Sequence, residues 1–204
     1  MQRRRFLSTS AGGVAGLASG IAASLFAAPA HAAKRPAKPA PLPPGYVVMG
    51  SRHGVPPLIL YGVALQESKQ LFGDQALPYP WTLCVRGQAR RYPTYAASVA
   101  DLRHLVTSGV TNVDCGCMQV NWHWNSHRLQ SFTRALDPYP NIGVGAQILH
   151  EHFDATHDWF KAVGMYHHQT DRKRAQDYAI SVFSRIPQIP GVRATPPAAE
   201  ARGG

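Results

Sequence analysis

Apolar residues run along this chain in stretches of helical period, separated by breaks that proline and glycine mark. Pro56-Pro57 precedes Leu-Ile-Leu-Tyr-Gly-Val-Ala-Leu, which is apolar almost all round. Proline suits a first helical turn, so the pattern predicts a buried helix from Leu58 to about Lys69. Pro78-Tyr79-Pro80 breaks the chain, Trp81–Val85 reads as a short strand, and Gly87 marks the turn after it. Thr94–Ser108 has helical spacing at Ala97, Leu102, Leu105 and Val106 and ends at Gly109, a C′ glycine. Val110–Val120 is predicted extended, interrupted by Gly116, with a short helix over 125–135 and a turn at Asp137–Asn141. Ile142–His157 is predicted helical with Leu149, Phe153, Thr156 and Phe160 on one stripe. The last helices cover Lys161–Tyr166 and Lys173–Ile186, the second ended by Pro187. The expected fold class is α+β, predominantly α-helical, with a few short strands between the first and third helices.

The ends change that picture. Arg3-Arg4-Arg5-Phe6-Leu7 leads into an uncharged Ala/Gly-rich stretch over 11–28, and Ala30-His31-Ala32 follows as a small-x-small cleavage site. Residues 1–32 thus have the layout of a secretory signal peptide, and the arginines before Phe-Leu resemble a twin-arginine signal. Export to the periplasm is the expected outcome. Residues 33–45 are Pro-rich and cationic and read as an extended linker. Residues 187–204 read as a disordered tail, which leaves one domain over 46–186.

The chain carries 21 Lys and Arg against 11 Asp and Glu, a formal +10, in 204 residues. Setting aside 1–32 removes three Arg and no acid, leaving 18 basic against 11 acidic residues, a net +7. The mature protein is therefore itself basic and expected to meet an anionic partner. Nucleic acid is the least expected such partner: the basic residues are dispersed except for Arg172-Lys173-Arg174, and export argues against it.

Three cysteines lie in the domain: Cys84, Cys115 and Cys117. In an oxidising compartment one disulfide is expected. A Cys-x-Cys pair does not readily bridge itself, so Cys84 is expected to pair with Cys115 or Cys117. The ten histidines call for a metal check. His123 and His127 are four apart without the glutamate of a zincin helix, and His150, Asp154 and His157 share a helix face opposite the apolar stripe. No metal site is expected.

Glutamate is scarce. Glu200 lies in the tail, and Glu151 sits opposite the Leu149 stripe and reads as solvated. Glu67 shares its helix face with Leu60, Val63 and Ala64. Lost hydration and the helix C-terminus both disfavour its carboxylate, which suits a general acid.

Ala64-Leu65-Gln66-Glu67-Ser68, Gly116-Cys117-Met118-Gln119-Val120-Asn121, Asn141-Ile142 and Tyr166 within Ala162–His167 occur in that order. They resemble the Glu-Ser, Gly-Leu-Met-Gln, Asn-Ile and Ala-x-x-Tyr-Asn motifs of the soluble lytic transglycosylase domain, a lysozyme-like fold, over about 57–183. The Pro-Trp-Thr-Leu and Gly-x-x-Gln-Val-Asn-Trp elements are similar to the branch linked with conjugative elements and secretion apparatus. The resemblance implies cleavage of the β-1,4 bond between N-acetylmuramic acid and N-acetylglucosamine in peptidoglycan, without water and without a cofactor. Glu67 would protonate the glycosidic oxygen and then take the proton of the 6-hydroxyl as a 1,6-anhydro ring closes. Ser68 would orient Glu67, Met118 and Gln119 would line the glycan cleft, and Asn141 and Tyr166 would approach the carboxyl. Cys117 stands at the packed leucine position of the family motif, which leaves Cys84 to pair with Cys115. His167 stands where the family has asparagine. The implied partners are glycan strands and a trans-envelope apparatus, with the protein a monomer.

Two alternatives follow from the same residues. Asp114 as a second carboxylate would make a hydrolytic muramidase, as ordinary glycosidases flank the bond with two carboxyls; otherwise Asp114 caps or orients the Gly-x-Met-Gln turn. A non-catalytic peptidoglycan-binding assembly module is the other.

Overall fold

The structure, a computed structural model, describes residues 38–191. The expected signal peptide and the end of the tail lie outside the described residues. No described helix is long and apolar enough to cross a membrane.

The chain enters as β1 (Lys38–Pro39), followed by α1 (Pro44–Arg52) and α2 (Pro57–Ser68). Four strands come next: β2 (Lys69–Phe72), β3 (Gln75–Pro78), β4 (Thr82–Val85) and β5 (Gln88–Arg91). Then follow α3 (Tyr95–Thr107), β6 (Val113–Cys115), β7 (Val120–Asn121), α4 (Trp122–Leu129) and α5 (Phe132–Leu136). The chain closes with α6 (Pro138–Thr156), α7 (Trp159–His167), α8 (Arg172–Phe183) and a 3-10 turn at Ile186–Gln188. The fold is α+β with helices dominant, as the apolar periodicity predicts.

Burial follows the sequence pattern most closely in α2, where Leu60, Tyr61, Val63, Ala64 and Leu65 are buried between α1, α6 and α8. Its N-terminal proline leaves no N–H to satisfy there. Helices α3 to α8 start on side-chain caps. Thr94, Ser131, Asp137, Asp158 and Asp171 each accept a backbone N–H at the head of α3, α5, α6, α7 and α8. At the end of α3, Gly109 has φ 87°, with Gly109 N–H to Val106 O and Val110 N–H to Leu105 O. That pairing closes the helix as the C′ glycine predicts.

Several expectations are corrected. Asp137-Pro138 does not make a free turn: Asp137 caps α6 and the prolines occupy its first turn, so that helix begins earlier than Ile142. The buried part of α6 is 141–146 and Leu149, whereas Phe153 stacks on Trp159 with ring centroids 4.2 Å apart and Phe160 belongs to α7. The helix expected over 125–135 is two, divided at Gln130, whose φ of 66° breaks the first. The presumed linker is docked from residue 38 on: β1 pairs with β3, and Tyr61 Oη donates to Ala40 O at 3.0 Å. The presumed tail starts as a packed segment, with Ile189 buried.

Two sheets form, in strand orders β1-β3-β2 and β5-β4-β6-β7. The second positions the site. Leu83 faces Cys115 and Val85 faces Val113, all four buried in the core. By strand alternation the other face carries the row Ala89, Cys84, Asp114 and Asn121, one residue from each strand in turn.

That register overturns the expected Cys84–Cys115 disulfide. Cys115 pairs with Leu83, and Cys84 pairs with Asp114, so the two thiols leave the sheet on opposite faces. A disulfide needs converging Cβ vectors. All three cysteines are free thiols, with Cys115 and Cys117 buried and Cys84 half-buried.

Candidate active site

The row Ala89–Cys84–Asp114–Asn121 floors a cleft of about 780 Å³. Glu67 reaches it from the C-terminal end of α2, Gln119 from the turn before β7, and Tyr166 and His167 from the end of α7. Trp124, Asn125 and Arg128 on α4 and Glu151 on α6 form a further wall. Trp124 is 71% exposed, a large ring standing at the rim. Exposed aromatic surface beside a groove suits ligand contact.

Glu67 is half-buried, and its carboxyl is pushed up from 4.5 to about 7. Burial is the main cause, opposed by a hydrogen bond from the Tyr178 phenol and reinforced by the Asp114 carboxyl. Tyr178 Oη, on α8, donates to Glu67 Oε1. Among the described residues no cation is bonded to the carboxyl. The group is therefore part protonated near neutrality, able both to give a proton and to take one back.

Asp114 is also pushed up by burial. Hydrogen bonds from the Asn121 amide, 2.7 Å from Oδ1, and from the Cys84 thiol oppose that, as does the nearby His167. Asp114 therefore holds the strand row together, and among the described residues it makes no side-chain hydrogen bond to the Gly116–Gln119 turn. The remaining described acids are committed elsewhere or exposed. Asp137, Asp158 and Asp171 cap helices, Asp101 pairs with Arg90, and Asp177 pairs with Lys173. Glu151 is exposed as expected but not idle: both its oxygens meet Arg128, at 2.6 and 3.1 Å.

The other expected site residues divide into cleft and scaffold. Gln119 lines the cleft, its Nε2 donating to Gly116 O at 2.8 Å. Tyr166 lines it as well, but its phenol donates to Met118 O at 2.8 Å, so Tyr178 holds Glu67 in its place. Burial, then the negative groups Glu67, Cys117 and Asp114, hold the Tyr166 phenol well above its ordinary range. Met118 does not line the cleft: its side chain is fully buried against Gly145, where an added Cβ would come within 2.8 Å of it.

Asn141 does not reach the carboxyl either. It is fully buried, and its oxygen accepts Met118 N–H at 2.8 Å while its nitrogen donates to Cys115 O and Ala135 O at 2.8 and 2.9 Å. It clamps the 116–119 turn. Gly116, at φ 74°, is required twice, since a Cβ there would lie 2.6 Å from the Asn141 amide. Ser68, expected to orient Glu67, instead ties the same turn to α2, its hydroxyl 2.8 Å from Cys117 O and 3.2 Å from Ala64 O.

Tyr178 was absent from the expected set. Its one sequence signal is a tyrosine on the sparse apolar face of α8 with Ala179 and Val182. Among the described residues no group of three or more His, Cys, Asp or Glu is placed to hold a metal ion. His150 pairs with Asp154, at 3.5 Å.

No family model, curated protein or solved structure matches this chain.

Proposed function

We propose that the protein is a peptidoglycan lytic transglycosylase of lysozyme-like fold, cleaving the N-acetylmuramic acid–N-acetylglucosamine β-1,4 bond and leaving 1,6-anhydro ends. One observation carries the reading. A carboxyl with no cation partner among the described residues, raised to about 7 by burial, faces a cleft of about 780 Å³. A protonated Glu67 delivers its proton to the glycosidic oxygen as positive charge grows on the muramic ring. The carboxylate so formed sits beside the Tyr178 phenol, whose hydrogen bond steadies the charge. It then accepts the proton of the sugar's own 6-hydroxyl as that oxygen closes on the anomeric carbon, which restores the acid. The substrate supplies the nucleophile, so one carboxyl suffices.

Hydrolysis is the second reading, because Asp114 shares the cleft. Its Oδ1 is committed to Asn121 and its carboxyl takes a second bond from Cys84, an anchored group poorly free to activate water. The anhydro route is therefore preferred. Export through residues 1–32 would bring the enzyme to its polymer in the periplasm, and local wall opening for a conjugation or secretion apparatus is the role this suits.

Incubating the purified protein with peptidoglycan sacculi and resolving the products by mass spectrometry tests both readings. Anhydro-muropeptides that disappear with Glu67→Gln support the lyase. Reducing ends would assign the hydrolase, and products unchanged in Glu67→Gln would remove Glu67 from the mechanism.

A further inference from the structure

A groove of about 450 Å³ lies on the far side of Arg128 from Glu67's cleft, between the end of α1, the end of α5 and the start of α6. Arg128 lines both hollows. A shallower depression bounded by Arg52, His53, Gln147 and Glu151 continues the surface between them. The groove's lining includes Arg52, His53, Arg128 and Arg134 and no carboxylate. Arg128 is occupied by Glu151, but Arg52 and Arg134 form no ion pair among the described residues. Both are exposed and sit in the last turns of their helices. A helix C-terminus accounts for one cation at its own end. It accounts for each arginine separately, but not for the convergence of both on one hollow whose lining holds no counter-charge.

The floor between them is apolar: Met49, Tyr139, Pro140 and Val144. Two guanidinium groups over an apolar floor suit a chain with carboxylates spaced along aliphatic segments. His53 stands in that positive field. Burial, then Arg52 and His150, hold its imidazolium down.

We propose that this groove, bordered by Arg52, His53 and Arg134 and joined to the cleft at Arg128, binds the carboxylate-bearing peptide substituents of the glycan strand. The inference rests on the glycan reading of the cleft and adds a second subsite to it. A strand lying beside Trp124 and Glu67 carries its peptide branches outward. A branch leaving on the Arg128 side meets Arg52 and Arg134 next. The protein would then discriminate peptide-bearing from bare wall glycan at a place remote from the reacting bond.

The test compares three soluble probes by titration against the full chain: the disaccharide-tetrapeptide, the bare disaccharide and the free tetrapeptide. Peptide-bearing sugar is expected to bind about fivefold to tenfold more tightly than bare sugar, as two exposed charge contacts allow. In Arg52→Gln/Arg134→Gln that preference vanishes while affinity for the bare disaccharide stays unchanged. Both arginines are exposed, so the substitutions leave the core intact. A preference that survives the double substitution overturns the proposal, as does its absence in the unsubstituted protein. If neither sugar binds, the glycan reading fails separately, and the free tetrapeptide still decides the groove. Binding that the double substitution abolishes supports the groove, and no binding overturns it. Inorganic phosphate that competes as strongly as the tetrapeptide would mark a general anion site and overturn it too.

Discussion

Asn141 and Glu67 are both polar side chains carried by buried helices, and they end in opposite states. Asn141 has every useful hydrogen-bonding direction filled by backbone groups of Cys115, Met118 and Ala135, fully out of water. Glu67 keeps one phenol for company, and burial drives its carboxyl up to about 7. The first arrangement costs little and fixes geometry; the second leaves the charged form under-compensated, and the deficit is what makes the proton mobile. A motif that supplies both residues in sequence thus supplies a clamp and an acid, and their satisfaction tells them apart.

The largest expected effect falls on Glu67. Glu67→Gln is expected to lower bond cleavage by about a thousandfold, within the range removal of a general acid–base group gives. Activity of the unsubstituted protein should fall as pH rises above about 7, where the acid is lost. Stability should move the other way with substitution. A carboxyl raised from 4.5 to about 7 contributes stability that is complete below pH 4.5 and lost as pH climbs to about 7. Glu67→Gln removes that loss, so at pH 8 it should unfold later than the unsubstituted protein, by about 2–3 kcal/mol. Urea unfolding at pH 5 and pH 8 checks the sign. An acid without catalytic use would show the stability change and leave cleavage intact.

Asn141→Ala should act on the other side of the contrast. It strands buried Met118 N–H, Cys115 O and Ala135 O, at a cost of about 2–4 kcal/mol. Cleavage should fall only through loss of folded protein, so activity per folded molecule at low temperature separates clamp from acid.

These two residues also mark how far the sequence could be read. The all-round apolar run over 58–65 made α2 and its lone terminal acid visible, because period and burial are local properties. The role of Asn141 was not visible, since an asparagine after a proline-rich cap looks the same whether it faces a groove or a turn 23 residues upstream. Tyr178 was hidden for a related reason: it meets Glu67 across 111 residues of chain, from a helix whose first turn is Arg-Lys-Arg. The β2–β3 hairpin escaped because β2 is mostly exposed and follows α2 without a break. Register, finally, is a pairing property: nothing in the spacing of Cys84, Cys115 and Cys117 says which two share a face.

Tyr178→Phe should have a smaller effect than either. The phenol's hydrogen bond favours the ionised carboxyl, so its removal should push Glu67 further up. The alkaline limb of the pH–rate profile should shift to higher pH, and the maximal rate should fall by about tenfold as the returning proton loses its oriented carboxylate. An unmoved limb would assign Tyr178 to packing alone.

The smallest expected effect is on the cysteines, and its smallness is the point. With Cys84 on the cleft face of the sheet and Cys115 on the core face, exposure to oxygen should leave no intramolecular bridge between them. Reductant should therefore leave the melting temperature unchanged, where loss of a native disulfide would cost about 2–5 kcal/mol. Native alkylation should label Cys84 first, slowly, because burial and the Asp114 carboxyl hold its thiol up. Cys115, whose thiol burial holds far above its ordinary range, and Cys117, buried and pushed up to about 12, should react only after unfolding. A bulky label on Cys84 would then stand in the row that floors the cleft and should block cleavage while stability holds, which ties the sheet's two faces to their two separate tasks.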